Sequence, residues 1–257
     1  MTGYRETALG RFYQREAAPL RVPLIISLGT PFLIAFGRDP NPADRQPSFA
    51  AGLNVGPVHI ESDGGAECVQ VDFTPLGAYR FFGGAVVDLA ARMVDIGDVL
   101  GIEGRRLHER LGATQSWQRR FDLLEDFVLR RAGHVPSSEI AFAYRRLALS
   151  SGGARIATLA SEIGWSRKHL VDRFRSELGL SPKSVARLIR FHSACRLAQT
   201  EATQGWAGIA AESGYSDQAH LAREFAALAG EPPTAWARRV SLSDSRLTRP
   251  DDAQAGW

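Results

Sequence analysis

The sequence predicts an α+β protein, in which a β-sandwich or partial barrel with accompanying helices is followed by an all-α domain. Three observations lead to this prediction. Residues 20–74 contain short apolar runs separated by Gly and Pro, as strands and tight turns require. Residues 75–131 then change to the apolar spacing of amphipathic helices. The second half contains two similar segments, each with the pattern of a helix pair.

The composition is that of an ordinary soluble chain. It has 257 residues, of which 44% are hydrophobic and 23% charged. It lacks an apolar run of the length that crosses a membrane, and its N-terminal stretch lacks the apolar core of a signal peptide. Cys68 and Cys195 are too few for a disulfide framework or a multi-cysteine metal site. We therefore expect a cytoplasmic protein with reduced thiols and no membrane partner.

The first half, residues 1–132, is predicted to be a domain in its own right, followed by a linker at 133–138. Val69, Val71 and Phe73 alternate with polar residues, as in a half-buried strand. Residues 103–131 predict two amphipathic helices, which would form either a dimer contact or an intramolecular one. A sheet of this kind can hold a small ligand. The candidate lining residues are His59, Phe73, Tyr79 and Phe82, and core packing is the competing interpretation for each.

Residues 159–182 and 209–233 resemble each other position by position. In both segments an Ala precedes a Gly by four residues, and the Gly is followed by an aromatic residue and a Ser. A His-Leu pair, a Phe, a second Gly and a Pro then recur in the same order, although the second copy has one extra residue between Ser and His. Internal similarity of this kind indicates a duplicated structural unit.

Each copy is predicted to be a helix-turn-helix. Gly164 and Gly214 would end the first helix of each pair, because a left-handed residue is least costly for Gly. Ser166 and Ser216 are the expected N-caps of the second helices. The apolar residues four apart in each second helix, such as Leu170 and Phe174, would share its buried face. Each second helix would then end at a Gly that is soon followed by a Pro.

A helix-turn-helix inserts its second helix into the DNA major groove, where the outer face contacts the bases. Arginine pairs well with guanine and glutamine with adenine, while small apolar groups suit the thymine methyl. Residues 154–240 also hold 12 Lys+Arg against 8 Asp+Glu, which suits a polyanion. A solvated helix face in a bundle is the competing interpretation. The DNA-binding candidates are Ser166, Arg167, Lys168, His169, Val171, Asp172 and Arg175 in the first copy, and Ser216, Gln218, Ala219, His220 and Arg223 in the second.

One long helix, over residues 182–199, is predicted to join the two copies. It would span roughly 27 Å, against about 34 Å between successive major-groove faces. The two second helices could therefore lie about one DNA turn apart. Cys195 is most simply a core residue of this helix, and His192 a core or surface residue.

The second half resembles the AraC family of bacterial transcription regulators. The resemblance covers residues 136–240, and its strongest part is GYSDQAHLAREF at 214–225, followed by Gly230, Pro232 and Pro233. It implies a seven-helix DNA-binding domain, here 139–240. The tail, 241–257, is expected to be disordered because its end is polar. The family's base-contacting positions fall on Lys168, Val171 and Asp172 in the first copy and on Gln218, Ala219, His220 and Arg223 in the second. The chain departs from the family in the acidic Asp172 and in Ala226, where a basic residue is usual.

The first half resembles the cupin-like sensor domains of such regulators. This resemblance implies a small-molecule effector, a homodimer contact and RNA polymerase as candidate partners beside double-stranded DNA. A metal-binding cupin uses paired histidines and a Glu, whereas residues 59–61 supply a single His. We therefore expect no metal and no cofactor.

Two other classes of protein compete with a transcription regulator. An enzyme is not expected, since the sequence has no nucleophile elbow, phosphate loop or zinc-protease helix. The alternative function is a ligand- or carbohydrate-binding protein whose helical domain serves protein interaction. That alternative leaves the duplicated motif unexplained. It also predicts DNA binding without the steep salt dependence of a specific regulator.

Overall fold

The computed structural model describes residues 1–6, 10–200 and 205–243, and the described part of the first half is built around two antiparallel sheets. The first sheet has the order β1-β8-β3-β6-β9 and the second β2-β7-β4-β5. The strands are β1 (Thr2–Arg5), β2 (Phe12–Glu16), β3 (Val22–Ser27), β4 (Phe32–Phe36), β5 (Arg45–Gln46), β6 (Phe49–Ala51), β7 (Val58–Ser62), β8 (Glu67–Phe73) and β9 (Met93–Asp95).

Alternation along β8 gives the first sheet two different faces. Val69, Val71 and Phe73 belong to the main hydrophobic core. The intervening Gln70 and Asp72 lie on the opposite face, toward the second sheet. Successive side chains of a strand point to opposite faces, so one face packs on helices while the other faces the second sheet. Part of the space between the sheets is filled by a smaller core that includes Ile34, Phe49 and Val58.

Three strands were not expected from the sequence. β1 and β2 precede residue 20, where the polar N-terminal stretch predicted no sheet. β1 pairs with β8 and β2 with β7, so each is held by a strand distant in the chain. β9 lies in a segment that was predicted to be helical; its three residues extend because they pair with β6. Pairing partners of this kind override local propensity.

The helices of the first half cover the outer face of the first sheet. They are α1 (Pro75–Phe82), α2 (Val86–Leu89), α3 (Ile96–Val99), α4 (Gly101–Gly112) and α5 (Trp117–Arg131). The Thr74 side chain accepts a hydrogen bond from the Gly77 N–H and so begins α1. The two amphipathic helices predicted over 103–131 are α4 and α5, whose Leu107, Leu111 and Leu124 are buried in the main core. These buried faces make an intramolecular contact.

The described second half contains the seven helices implied by the resemblance. They are α6 (Ser138–Leu149), α7 (Ile156–Glu162), α8 (Arg167–Leu178), α9 (Pro182–Thr200), α10 (Trp206–Glu212), α11 (Gln218–Ala229) and α12 (Pro233–Ser243). Residues 132–137, which belong to no helix or strand, precede α6 and lie close to the predicted linker. Residues 241–243 continue α12, so the helix runs past the predicted start of the tail. The rest of the predicted tail lies outside the described residues.

The two halves share one hydrophobic core. Residues of β3 and β8, such as Leu24 and Val69, belong to the same buried cluster as Phe174 of α8 and Phe225 of α11. Burial of apolar surface is the main favourable contribution to folding, so the halves stabilise each other. Within the described ranges, no helix is long and apolar enough to cross a membrane.

Candidate nucleic-acid interface

The first helix-turn-helix is formed by α7 and α8. Gly164 has φ +71° at the turn, and the Trp165 N–H donates to the Ala160 carbonyl at 2.9 Å. The Ser166 hydroxyl accepts from the His169 N–H at 3.1 Å and caps α8, as predicted. Leu170 and other apolar residues bury the inner face of α8 completely. The outer face is therefore oriented by the core rather than by its own contacts.

Most of the first set of DNA-binding candidates lies on this outer face. Arg167, Lys168, Asp172 and Arg175 are exposed. None of these four belongs to an ion pair among the described residues. Val171 is half-buried, so it can offer only an edge to a base. Three cations and one carboxylate make this face net basic, which suits a phosphate backbone.

His169 is the candidate of the first motif whose ring is already in contact within the chain. Its imidazole packs edge-on against the indole of Trp165, with ring centroids 4.5 Å apart. The residue remains exposed to solvent. We therefore expect His169 to approach DNA as part of a Trp-His pair rather than as a freely rotating side chain.

The second helix-turn-helix, α10 and α11, repeats this geometry with one correction. Gly214 has φ +75°, and the Tyr215 N–H donates to the Ala210 carbonyl at 2.9 Å, as in the first motif. The predicted N-cap, Ser216, is wrong: Asp217 is the cap, and its carboxylate accepts from the His220 N–H at 2.6 Å. The extra residue of the second copy moves the cap by one position. The His220 N–H and the Ser216 hydroxyl donate to Asp217 and lower the pKa of that carboxyl.

The outer face of the second motif is polar rather than basic. Gln218, Ala219 and Arg223 are exposed, and His220 is half-buried. The His220 ring lies edge-on to Tyr215 at 5.2 Å, and its Nδ1 is 3.2 Å from the Ser216 hydroxyl oxygen. The arrangement matches the Trp-His pair of the first motif. This face carries side-chain hydrogen-bond donors and acceptors and one cation, the groups that contact base edges.

α9 joins the two motifs and is longer by one residue than predicted. Its 19 residues span about 28 Å. Phe191 of α9 packs against Phe225 of α11 with ring centroids 4.9 Å apart, and the Arg187 guanidinium donates to Glu224 at 2.7 Å. The buried Val185 and Leu188 attach the same helix to the common core. Each motif therefore has a fixed position relative to α9. Cys195 is buried, as expected.

Residues 159–239 match a protein-family model described as a helix-turn-helix domain. The match begins in α7 and ends in α12, so it contains both motifs and the helix between them. The C-terminal part of this chain therefore contains a helix-turn-helix domain. The predicted α+β fold, sheets first and the helical domain second, is confirmed. No curated protein sequence matches the chain significantly.

Three solved structures are similar to this chain. The DNA-binding domain of AdpA, in complex with a target DNA, is 22% identical, with 43% of this chain and 100% of that chain covered and a TM-score of 0.40. A DNA-binding transcriptional dual regulator from Escherichia coli K-12 is 19% identical, with coverages of 40% and 98% and a TM-score of 0.35. Unsaturated fatty acid bound ToxT from Vibrio cholerae is 11% identical, with coverages of 92% and 93% and a TM-score of 0.47.

The N-terminal half contacts the second motif of the helix-turn-helix domain through hydrogen bonds and ion pairs. Glu231, only 8% exposed, accepts from Arg15 of β2 at 2.8 Å and from Arg239 of α12 at 2.8 Å. The Ala18 N–H donates to the Leu228 carbonyl at 2.7 Å. We call Arg15, Ala18, Leu228, Glu231 and Arg239 the polar clamp. None of these contacts was predicted. The contacts of Arg15 with Glu231 and of Ala18 with Leu228 join residues from opposite ends of the chain.

The N-terminal half contacts the first motif mainly through apolar packing. α1 and α2 pack on α8. A Cβ added at Gly179, which ends α8 with φ +76°, would lie 3.3 Å from the Val86 carbonyl oxygen and 3.3 Å from the Ala90 Cβ. The left-handed φ favours a glycine there, and the close approach leaves little room for a Cβ. The buried Glu177 accepts hydrogen bonds from the N–H and the hydroxyl of Ser137, both at 2.8 Å, and thereby ties the linker to α8.

The structure does not bring the four ligand candidates together at a cavity. Phe73 stacks on Phe81 at 4.8 Å and meets Phe82 edge-on at 5.6 Å, so both candidate phenylalanines fill core space. His59 points away from the space between the sheets and lies 2.7 Å from the Tyr13 hydroxyl and 2.9 Å from the Asp39 carboxylate. Tyr79 is partly buried against the main core. The prediction selected an outward-facing residue of β7, a helix-facing residue of β8 and two residues of α1.

A cavity of about 300 Å³ does lie between the two sheets, next to the edge strands β1 and β2. We call it the sheet cavity. Its apolar lining is Tyr4, Phe12, Ile25, Phe32, Ile34 and Ile60, and its polar lining includes Gln14, Glu16, Gln70 and Asp72. Several of these residues lie on β1 and β2, which were not predicted. The adjacent aromatic residues Phe12 and Tyr13, a residue type enriched in strands, are the sequence signal that could have indicated β2.

Proposed function

We propose that the chain is a transcription regulator that binds duplex DNA sequence-specifically and places α8 and α11 in two successive major-groove segments. The observation that carries the proposal is the duplicated motif geometry. Both second helices bury Leu and Phe inward and leave polar tips exposed on the outer face. A helix with its outer face free in this way is the reading element of a helix-turn-helix.

The outer faces of α8 and α11 suit different contacts with DNA. Arg167, Lys168 and Arg175 on α8 favour phosphate contacts, with Asp172 positioned to accept from a cytosine amino group or to exclude a phosphate. Gln218 suits adenine, Ala219 suits a thymine methyl, and Arg223 suits guanine. We therefore expect the first motif to supply more of the sequence-independent affinity and the second more of the base preference.

We further infer that the N-terminal half receives a small molecule that controls DNA binding. The sheet cavity and its contact with the DNA-binding half support this role, because β2 contributes both Glu16 to the cavity and Arg15 to the polar clamp. A structure of ToxT contains a bound unsaturated fatty acid. A second copy of this chain and RNA polymerase are the macromolecular partners expected from the family resemblance.

The decisive experiment is selection of random duplex DNA by the purified full-length chain, with sequencing after several rounds. We expect enrichment of two short blocks whose centres lie about 10 base pairs apart, one helical turn. A synthetic duplex with a five-base-pair insertion between the blocks is the matched control. The insertion turns the second block to the opposite side of the helix, so its affinity should fall toward that of unrelated DNA.

Two results would contradict the proposal. Absence of enrichment, together with binding that does not weaken as salt increases, would favour a helical domain that binds proteins instead of DNA. Enrichment of a single block that is indifferent to the insertion would mean that only one motif contacts bases.

A further inference from the structure

The sheet cavity has the size and shape of a small-ligand site. Its volume of about 300 Å³ is at the lower end of the range for ligand pockets. It corresponds to the volume of about ten water molecules in the liquid, so a ligand of about ten non-hydrogen atoms would fit. The aromatic rings of Tyr4, Phe12 and Phe32 supply an apolar wall.

The charge of the cavity is one-sided. Glu16 and Asp72 both line it, and the described lining contains no Lys, Arg or His. Burial raises the pKa of Glu16 and the nearby Asp72 carboxylate raises it further, whereas Arg239 of α12 acts in the opposite direction. Both residues remain accessible to solvent, so a ligand can reach them.

The glutamines next to the two carboxylates also favour a ligand that carries a hydrogen-bond donor. The Gln14 side-chain amide donates to Glu16 at 2.8 Å, and that of Gln70 donates to Asp72 at 2.8 Å. Since each amide nitrogen is directed at a carboxylate, its carbonyl oxygen is left as an additional acceptor. The polar end of the cavity therefore presents acceptors to a ligand.

We propose that the sheet cavity binds an organic cation, whose ammonium group is held by Glu16 and Asp72 and whose apolar body packs against Phe12, Phe32 and Tyr4. A carboxylate-bearing ligand would meet two like charges. An ammonium group gains charge-assisted hydrogen bonds, and aromatic faces attract a cation as well. The inference rests on the proposed function, since it names the class of ligand for the control site inferred there.

Calorimetric titration of the full-length chain with three compounds of similar shape tests the proposal. They are 2-phenylethylamine, which is cationic, 3-phenylpropanoate, which is anionic, and 3-phenylpropan-1-ol, which is neutral. We expect the amine to bind at least tenfold more tightly than either of the others. In the E16Q/D72N variant this preference should fall to less than threefold, while the alcohol binds as it does to the wild type.

The matched control is D98N/E125Q, which removes the same charge from exposed residues of α3 and α5. It should keep the preference for the amine. Equal or tighter binding of the carboxylate, or no binding of the amine up to millimolar concentration, would overturn the proposal; if the double variant fails to fold, the wild-type ratio alone decides. The titration contains no DNA, so its failure is distinguishable from a failure of the DNA selection.

Discussion

The first and second helix-turn-helix motifs have the same internal geometry, but they contact the N-terminal half through different kinds of interaction. In both, the N–H of the aromatic residue after the turn glycine donates to an Ala carbonyl oxygen at 2.9 Å. The first motif rests on α1 and α2 through close apolar packing at Gly179. The second is held by the polar clamp around Glu231. The two copies have kept the buried positions of the motif, while their contacts with the rest of the chain have diverged.

The difference has a consequence for regulation. Apolar packing is short-ranged and depends on shape, whereas ion pairs and hydrogen bonds respond to charge in their surroundings. Glu16 of the sheet cavity is adjacent in sequence to Arg15 of the polar clamp, and Arg239 interacts electrostatically with Glu16. A charged ligand in the cavity would therefore affect the second motif more than the first.

The largest loss of unfolding free energy is expected from truncation of the core phenylalanine in either motif. Phe174→Ala and Phe225→Ala each remove a fully buried ring, which typically costs about 3–5 kcal/mol of unfolding free energy. Phe225 also contacts the rings of Phe191, Trp206 and Trp236. We expect its truncation to lie at the upper end of that range in urea unfolding. An equal or larger effect of Phe174→Ala would show that the aromatic cluster adds nothing beyond buried area.

Loss of the shared carboxylate should loosen the second motif alone. Glu231→Gln leaves Arg15 and Arg239 without their common anion, and we expect a loss of about 1.5–3 kcal/mol, as for hydrogen bonds to charged groups. Hydrogen exchange should accelerate in α11 and α12 and stay unchanged in α8. Asp63→Asn removes an exposed carboxylate that pairs with Arg11 and Arg45 and should change stability by less than about 0.5 kcal/mol. Faster exchange in both motifs would mean that the clamp holds the whole domain.

Substitutions on the outer faces should separate base preference from backbone affinity. Arg223→Ala is expected to weaken binding to the selected duplex by about 1–3 kcal/mol and to relax the preference in one block, while Lys168→Ala lowers the slope of affinity against salt by about one. Anisotropy titrations at several salt concentrations measure both effects. Arg119→Ala, an exposed change on α5, is the control. If Arg223→Ala binds and discriminates as the wild type does, α11 is not the second reading helix.

Alanine substitution at the four motif glycines should show which motif packs more tightly against the N-terminal half. Gly164, Gly179, Gly214 and Gly230 have φ between +70° and +76°, so each substitution introduces left-handed strain of about 1–2 kcal/mol. Gly164 and Gly214 have open space around them and provide the baseline. At Gly230 an added Cβ would lie 3.2 Å from the Pro57 ring and 3.3 Å from the flexible Arg15 chain.

We expect Gly179→Ala to be the most destabilising of the four, since its Cβ would meet a backbone oxygen and Ala90, whereas at Gly230 one of the two neighbours is the flexible Arg15 side chain. Thermal unfolding of all four variants gives the order. A larger loss at Gly230 would mean that the clamp side is the more tightly packed of the two.

The smallest effect concerns pH. The His192 Nε2 lies 2.9 Å from the Ala18 carbonyl oxygen, and burial lowers the pKa of His192 below its ordinary value of 6.5. Above pH 6.5 the ring is neutral in both the folded and the unfolded chain. As the pH falls below 6.5, the unfolded chain takes up a proton that the folded chain resists, so folding weakens.

Urea unfolding between pH 7.5 and pH 5.5 measures this contribution. His192→Gln retains a side-chain donor toward Ala18 but does not titrate, so it should lose less stability over that interval than the wild type. An unchanged pH dependence would assign the loss to other groups.

The sequence by itself determined the duplicated helix-turn-helix motif. Gly164, Ser166, Leu170 and Phe174 act within one helix pair, so their spacing was enough to predict turn, cap and buried face. The one local error, Ser216 for Asp217 as the second cap, arose because the extra residue allows two capping side chains to compete.

Only the tertiary structure decided the sheet cavity and the polar clamp. Glu16 and Asp72 meet because β2 and β8 belong to two facing sheets, and Arg15 meets Glu231 although 216 residues separate them. The sequence gives no local sign of such partners, and without β1 and β2 the alternation of β7 and β8 did not reveal which face looks inward. Helix pairs form from neighbouring residues, whereas a cavity between sheets exists only after distant strands have paired.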